Sequence, residues 1–268
     1  MITQAIFIVI FYLLATVSLT LKTIRPDNTP AYAITIMRLF GGAALIAHGY
    51  IIYHMVFVAK GLNMGFFISL SLVGWTVALI VYVTSIYKSL QNLLIVLFPL
   101  SAFVLLMSLF IDEHRILTSQ LTMGLKIHII LSIMAYSLLF IATLQSLFVR
   151  YQERLLFAKK ANKVINILPP LQVMEHLLLQ FIIIGFFMLS LSLASGMMFI
   201  NDMFAQHLAH KTILSFIAWL IYGVLLCGHW LAGWRGKHIT HWAVGGFITL
   251  LLAYVGTKFV LEFILNRI

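Results

Sequence analysis

An all-α bundle of about eight membrane-spanning helices is the fold this chain predicts, and three observations carry it. Hydrophobic residues fill 63% of the 268 positions and charged residues only 9%, too few polar groups to cover the outside of a soluble core. Apolar stretches of the ~20 residues needed to cross ~30 Å of hydrocarbon recur along the whole chain. Charged residues gather between those stretches, as the ends of membrane helices require.

The windows fall near 2–22, 33–58, 64–87, 90–111, 121–150, 173–200, 212–234 and 239–264, and together they read as one integral membrane domain over 1–268. The first has no basic amino-terminal region and no small-residue cleavage site before Lys22, so it reads as a helix of the mature chain, not a signal. Turn chemistry separates several of the others: Arg25-Pro-Asp-Asn-Thr-Pro30, Gly61-Leu-Asn-Met-Gly65 and Leu168-Pro-Pro-Leu171. Pro99 lies inside the fourth window, where a kink is expected, since it frees one carbonyl from the helical ladder. No internal repeat of the kind that builds inverted-repeat transporters is visible.

Basic residues set the orientation. Lys22 and Arg25 follow the first helix, Lys88 the third, Arg150, Arg154, Lys159, Lys160 and Lys163 the fifth, and Arg235 and Lys237 the seventh. Positive residues stay on the cytoplasmic side, so both termini and the 201–211 loop are expected outside. The formal charge of +10 therefore reports topology, and no nucleic-acid partner is expected.

Soluble-enzyme signatures such as a phosphate-binding glycine loop, a Gly-x-Ser-x-Gly elbow or His-Glu-x-x-His are absent. No acidic residue lies well inside a span, which argues against an acidic proton relay. The single cysteine, Cys227, excludes an internal disulfide and a Cys-x-x-Cys pair. Chemistry then falls to histidine.

His48 lies ten residues beyond Arg38, about 15 Å deeper at helical rise, near the bilayer middle, where an ionisable group is a functional candidate; the competing reading is a hydrogen-bonded core histidine. His54 is nearer the outer surface. His128 opens the fifth helix, where a neutral imidazole can bind a metal or haem iron through one nitrogen while the other donates to an acceptor; taken alone, the residue reads more simply as a surface histidine at a helix start. His207 and His210, with Asp202, are candidates for a small outer metal site. Cys227 and His229 lie deep in the seventh helix near its cytoplasmic end; each is a candidate axial ligand, set against a small buried thiol and a snorkelling interfacial histidine. His238 and His241 read as solvent or headgroup contacts.

Several segments, in order, resemble the cytochrome c assembly protein family, the haem-handling membrane proteins that include the synthetase subunit CcsA. They are Ile127-His-Ile-Ile-Leu-Ser-Ile-Met-Ala-Tyr136, then Tyr151-Gln-Glu-Arg-Leu-Leu156, which resembles that family's Gln-Glu-Arg turn at a helix end. Leu168-Pro-Pro-Leu171 with Glu175, Gly185-Phe186, Lys211 to Tyr222, Gly233-Trp-Arg-Gly236, Gly246-Phe247 and Ala253-Tyr-Val-Gly256 continue the set. The resemblance is strongest over 121–264. It implies a protein that binds haem, here haem b, or presents it at the outer face of a bacterial inner membrane for attachment to apocytochrome c. His128 matches the first outer histidine, and His48 is the counterpart of one in an early helix. The tryptophan-rich segment is represented only by Ala209-His-Lys-Thr-Ile-Leu214, which keeps Lys211 but not the tryptophans or the aspartate. The following helix histidine aligns with Cys227, with His229 two residues on, and the position of the last outer histidine falls near Leu265.

The reading is a haem-binding protein of cytochrome c assembly type with no catalytic residue set. Iron would be held by two of His48, His128, His210, Cys227 and His229. Membrane lipid, other membrane subunits and apocytochrome c are the expected partners. A haem-free interaction subunit on the same fold is the alternative, with a solute or ion transporter a third possibility.

Overall fold

The computed structural model describes residues 2–25, 29–30, 32–59, 61–88, 90–111, 116–118, 122–158, 169–199 and 206–256. Eight α-helices occur among them: α1 (Ile2–Ile24), α2 (Ala33–Val56), α3 (Phe66–Tyr87), α4 (Gln91–Phe110), α5 (Met123–Phe157), α6 (Leu171–Phe199), α7 (Gln206–Ala232) and α8 (Lys237–Leu251). The last passes into a π-helical turn, Leu252–Gly256. Helices α1 to α7 are each long and apolar enough to cross a bilayer. The protein is a polytopic, all-α membrane protein.

The cause is the solvent. In hydrocarbon every backbone N–H and C=O must be satisfied within its own segment, which a helix does and an isolated extended segment does not. Helix α4 keeps its helical path through Pro99. Helix α5 runs further than its apolar window, carrying Tyr151 to Leu156 as continuous helix where a turn was expected. Charge ends an apolar window, but Arg, Glu, Leu and Gln all propagate a helix well.

The chain divides into two compact units. The first holds α1–α4 and a short three-stranded antiparallel sheet. Strands β1 (Phe57–Val58), β2 (Gly61–Asn63) and β3 (Ile116–Thr118) pair in that order. Gly61 closes the β1–β2 hairpin at φ 141°, a conformation that side chains disfavour. Within this unit α1 packs on α2 and α4, and α3 packs on α4 and α2. Small residues on α2 set the spacing. A Cβ on Gly41 would stand 2.8 Å from Phe98 Cζ, and one on Gly49 would stand 2.9 Å from Trp75 Cζ2. Trp75 Nε1 donates to Leu45 O at 2.8 Å, and Tyr82 donates to Arg38 O at 2.8 Å. Glycine thus lets rings from α3 and α4 reach the α2 backbone, the small-residue packing that membrane interiors favour.

The second unit holds α5–α8. Its spine is the α5–α6 pair, with α8 packed on α5 and α7. One face of α5 carries His128, Ser132, Tyr136, Thr143, Ser146 and Arg150 at three-, four- and seven-residue spacing, a polar stripe along the helix. The stripe is tied to α8 by hydrogen bonds in both directions. Tyr136 donates to Leu250 O at 3.1 Å, and Thr240 Oγ1 donates to Ser146 O at 3.2 Å. Tyr222 on α7 donates to Ala243 O at 3.1 Å.

Candidate functional site

Unit by unit, the structure sorts the predicted histidines into different environments. His48 is fully buried at the centre of the first unit. Its Nδ1 lies 3.0 Å from the Tyr12 hydroxyl and its Nε2 lies 3.1 Å from Ser71 Oγ. In the neutral ring one nitrogen donates and the other accepts, and either hydroxyl can take the complementary part. Both nitrogens are therefore in use, and a metal at His48 would have to displace one hydroxyl. The Tyr12 ring meets the imidazole edge-on at 5.8 Å and Phe98 at 5.2 Å, joining α1, α2, α3 and α4 around one histidine. His54 is exposed, its ring against Tyr50.

His128 is built differently. Helix α5 is capped by Thr122, whose side chain accepts from Leu125 N, and His128 follows one and a half turns on. It is half-buried. Its Nδ1 lies 2.9 Å from Ser192 O and 3.3 Å from Ser195 Oγ, both on α6. A carbonyl oxygen only accepts, so Nδ1 carries the proton and donates it, leaving Nε2 as a lone pair. This is how metal-binding imidazoles are held, with the second nitrogen anchored to a carbonyl. Ser132 Oγ tightens the same spot: it donates to His128 O at 2.7 Å and stands 2.7 Å from Ser192 Oγ. Ser195 Oγ donates to Ser192 O at 2.9 Å.

Two turns further along α5, Tyr136 packs on Tyr254 at 5.7 Å, and Lys211 Nζ lies 5.9 Å above the Tyr254 ring. His210, adjacent to Lys211 and exposed, therefore belongs to the same end of the unit as His128. His207 opens α7, but its side chain and the whole of Asp202 lie outside the described residues, as does the region around Leu265.

His229 and Cys227 belong to the opposite end. His229 Nδ1 donates to Trp234 O at 2.8 Å, at the turn that leads into α8. From His128 to Ser146, the level of that turn, α5 rises about 27 Å at 1.5 Å per residue. One iron cannot bridge His128 and His229. Cys227 is exposed on α7 rather than buried in the unit. His241 donates to Lys237 O at 2.6 Å, and His238 packs on Trp234. Among the described residues no three His, Cys, Asp or Glu side chains gather into a metal-holding group.

The partners that give these histidines their character carry no mark in the sequence. Ser71, Ser192 and Ser195 are ordinary hydroxyls at positions remote from the rings they touch. The four-residue step from His128 to Ser132 and on to Tyr136 puts those three residues on one face of α5.

These features define a polytopic all-α membrane protein in which one imidazole, at the start of α5, has its Nδ1 anchored to a backbone carbonyl. The chain belongs to the cytochrome C assembly protein family, whose model matches residues 36–265. It is similar to the inner membrane protein YpjD of Escherichia coli (strain K12), 32% identical over 174 residues, 64% of this chain and 65% of that protein. The match thus spans just under two-thirds of that relative. It is also 32% identical over 144 residues to an uncharacterized 28.8 kDa protein of Azospirillum brasilense, 53% of each. Over 80 residues, 29% of this chain and 26% of the other, it is 31% identical to the cytochrome c biogenesis protein CcsA of Prochlorococcus marinus (strain MIT 9515). No solved structure matches the chain.

Proposed function

We propose that this protein binds haem b through His128 Nε2 and holds or presents it at the outer face of the bacterial inner membrane. The observation that carries the reading is the His128 Nδ1 to Ser192 O bond of 2.9 Å, which commits one ring nitrogen and leaves the other for iron. The donor set fits the group: an anchored imidazole, with the Lys211 ammonium at the same end for propionate carboxylates. Haem, when bound, supplies the iron and the vinyl groups that cytochrome c assembly requires. What this chain supplies is orientation, a polar stripe on α5, and a cation.

His210 is the second ligand we favour, since it lies at the same end of the second unit. His229 and Cys227 stand too far from His128 to share its iron. His48, with both nitrogens bonded, supports a structural part for the first unit. We assign no catalytic residue set, and the partners we expect are apocytochrome c and other membrane subunits. The basic residues after α1, α3, α5 and α7 support the orientation with both termini outside. A haem-free interaction subunit is the second reading, favoured by the missing tryptophans of the 209–214 segment.

The test is the pyridine haemochrome of protein purified in mild detergent from haem-replete cells. Haem co-purifies with the wild type, is lost in His128→Gly and returns on adding imidazole, which refills the cavity left by the side chain. His48→Leu keeps its haem. Wild-type protein without haem would overturn the proposal in favour of the second reading, and haem retained in His128→Gly would overturn the ligand.

A further inference from the structure

The inner end of the second unit carries a built cationic and aromatic surface that the haem reading leaves unused. Helix α7 ends at Ala232, and the chain turns through Gly233 (φ 66°) and Gly236 (φ 50°) into α8. The turn is pinned from three sides. Trp234 N donates to Gly228 O at 3.1 Å, and His229 Nδ1 donates to Trp234 O at 2.8 Å. The Trp234 ring lies so close over Gly228 that a Cβ there would collide with it. It also stacks on Trp242 at 5.5 Å, 25° from parallel, and packs on His238 at 6.1 Å.

Gly236 sits against the Glu153 carboxylate of α5, which accepts from Arg150 Nη1 at 2.9 Å. Arg235 and Lys237 flank that glycine, and Arg154 follows Glu153; all three side chains are exposed, as are His238 and His241. The one carboxylate in the group is thus engaged by Arg150, and the cations of Arg154, Arg235 and Lys237 face outward beside two stacked indoles. Indoles settle at the level of lipid headgroups, and basic residues at that depth attract anionic lipid.

We propose that this turn is a binding surface for the phosphodiester headgroup of an anionic membrane phospholipid, with Arg235 and Lys237 holding the phosphate, Arg154 beside them and the Trp234–Trp242 stack fixing the depth. The turn is held by backbone bonds and ring packing that the cations do not take part in. Neutralising them leaves the fold intact.

The test uses the full-length protein and native mass spectrometry after exchange into nanodiscs of phosphatidylcholine with one-fifth phosphatidylglycerol. The wild type retains phosphatidylglycerol in preference to phosphatidylcholine, and Arg235→Gln with Lys237→Gln weakens that retention by about fivefold for each cation removed. Lys88→Gln, at the end of α3 in the other unit, leaves it unchanged. Equal retention in the double variant overturns the proposal. So does displacement of the lipid by millimolar inorganic phosphate, which would make this a free-anion site. Circular dichroism and the melting curve of the double variant match the wild type, so a loss of lipid is not a loss of fold.

Discussion

Remove the Tyr12 hydroxyl and His48 becomes the most informative side chain in the first unit. Tyr12→Phe keeps the ring that packs on Phe98 and deletes only the partner 3.0 Å from Nδ1; Ser71→Ala deletes the partner 3.1 Å from Nε2. Interhelical hydrogen bonds in membrane proteins are worth ~0.6 kcal/mol on average. A buried polar group left unmatched costs about 1–3 kcal/mol. His48 has no exposed surface through which water could replace the lost partner, so each variant should lose about 1–2 kcal/mol. Replacing all three groups together, as Tyr12→Phe, Ser71→Ala and His48→Leu, should cost less than the sum, because no orphan remains. The assay is equilibrium unfolding in mixed micelles with increasing dodecyl sulfate. Two neutral single variants, or a fully additive triple variant, would refute a structural His48. Single variants of wild-type stability that have lost haem would show that the imidazole is a ligand after all.

Other outcomes follow from the same geometry. Gly41→Ala drives a methyl toward the buried Phe98 ring at 2.8 Å, an overpacking worth about 1–3 kcal/mol, and Phe98→Leu in the same chain should recover most of it. Gly236→Ala meets both a positive φ and the Glu153 carboxylate; a loss of about 1–3 kcal/mol is expected, read by the same unfolding titration. In a Cys227→Ser background, Thr122→Cys should react with a membrane-impermeant maleimide in intact cells and Lys237→Cys only after permeabilisation, and the reverse pattern would invert the orientation. Ser195→Ala should leave haem bound with a shifted reduction potential, since the carbonyl of Ser192 still holds Nδ1.

The helices were legible because hydrocarbon permits so few alternatives. The apolar windows and α1 to α7 agree to within a few residues at most ends, the exceptions being the C-terminal end of α5, where charge masks a continuing helix, and the start of α7, which the polar residues from Gln206 hid. The three-stranded sheet was not legible, since Phe57–Val58 and Ile116–Thr118 are too short to show a period and pair through residues distant in sequence. Nor was the division into two units. From the sequence His48 is a candidate near the bilayer middle and His128 one at a helix start, yet what separates them is partner chemistry: two hydroxyls for one ring, a carbonyl for the other. Those partners lie 23 to 67 residues away, and no local pattern encodes them. The placement of His210 and His229 at opposite ends of α7, by contrast, follows from helical rise alone.

Ser192 meets His128 with an atom that every amino acid possesses. The aim of the imidazole is therefore written in the alignment of α5 against α6, not in the identity of residue 192. The bond to the ring itself does not need the Ser192 hydroxyl, which instead meets Ser132, while a single inserted residue in α6 would rotate that carbonyl by about 100° and unhook the ring. Insertions and deletions between Leu171 and Ser192 are where selection on this histidine would leave its mark.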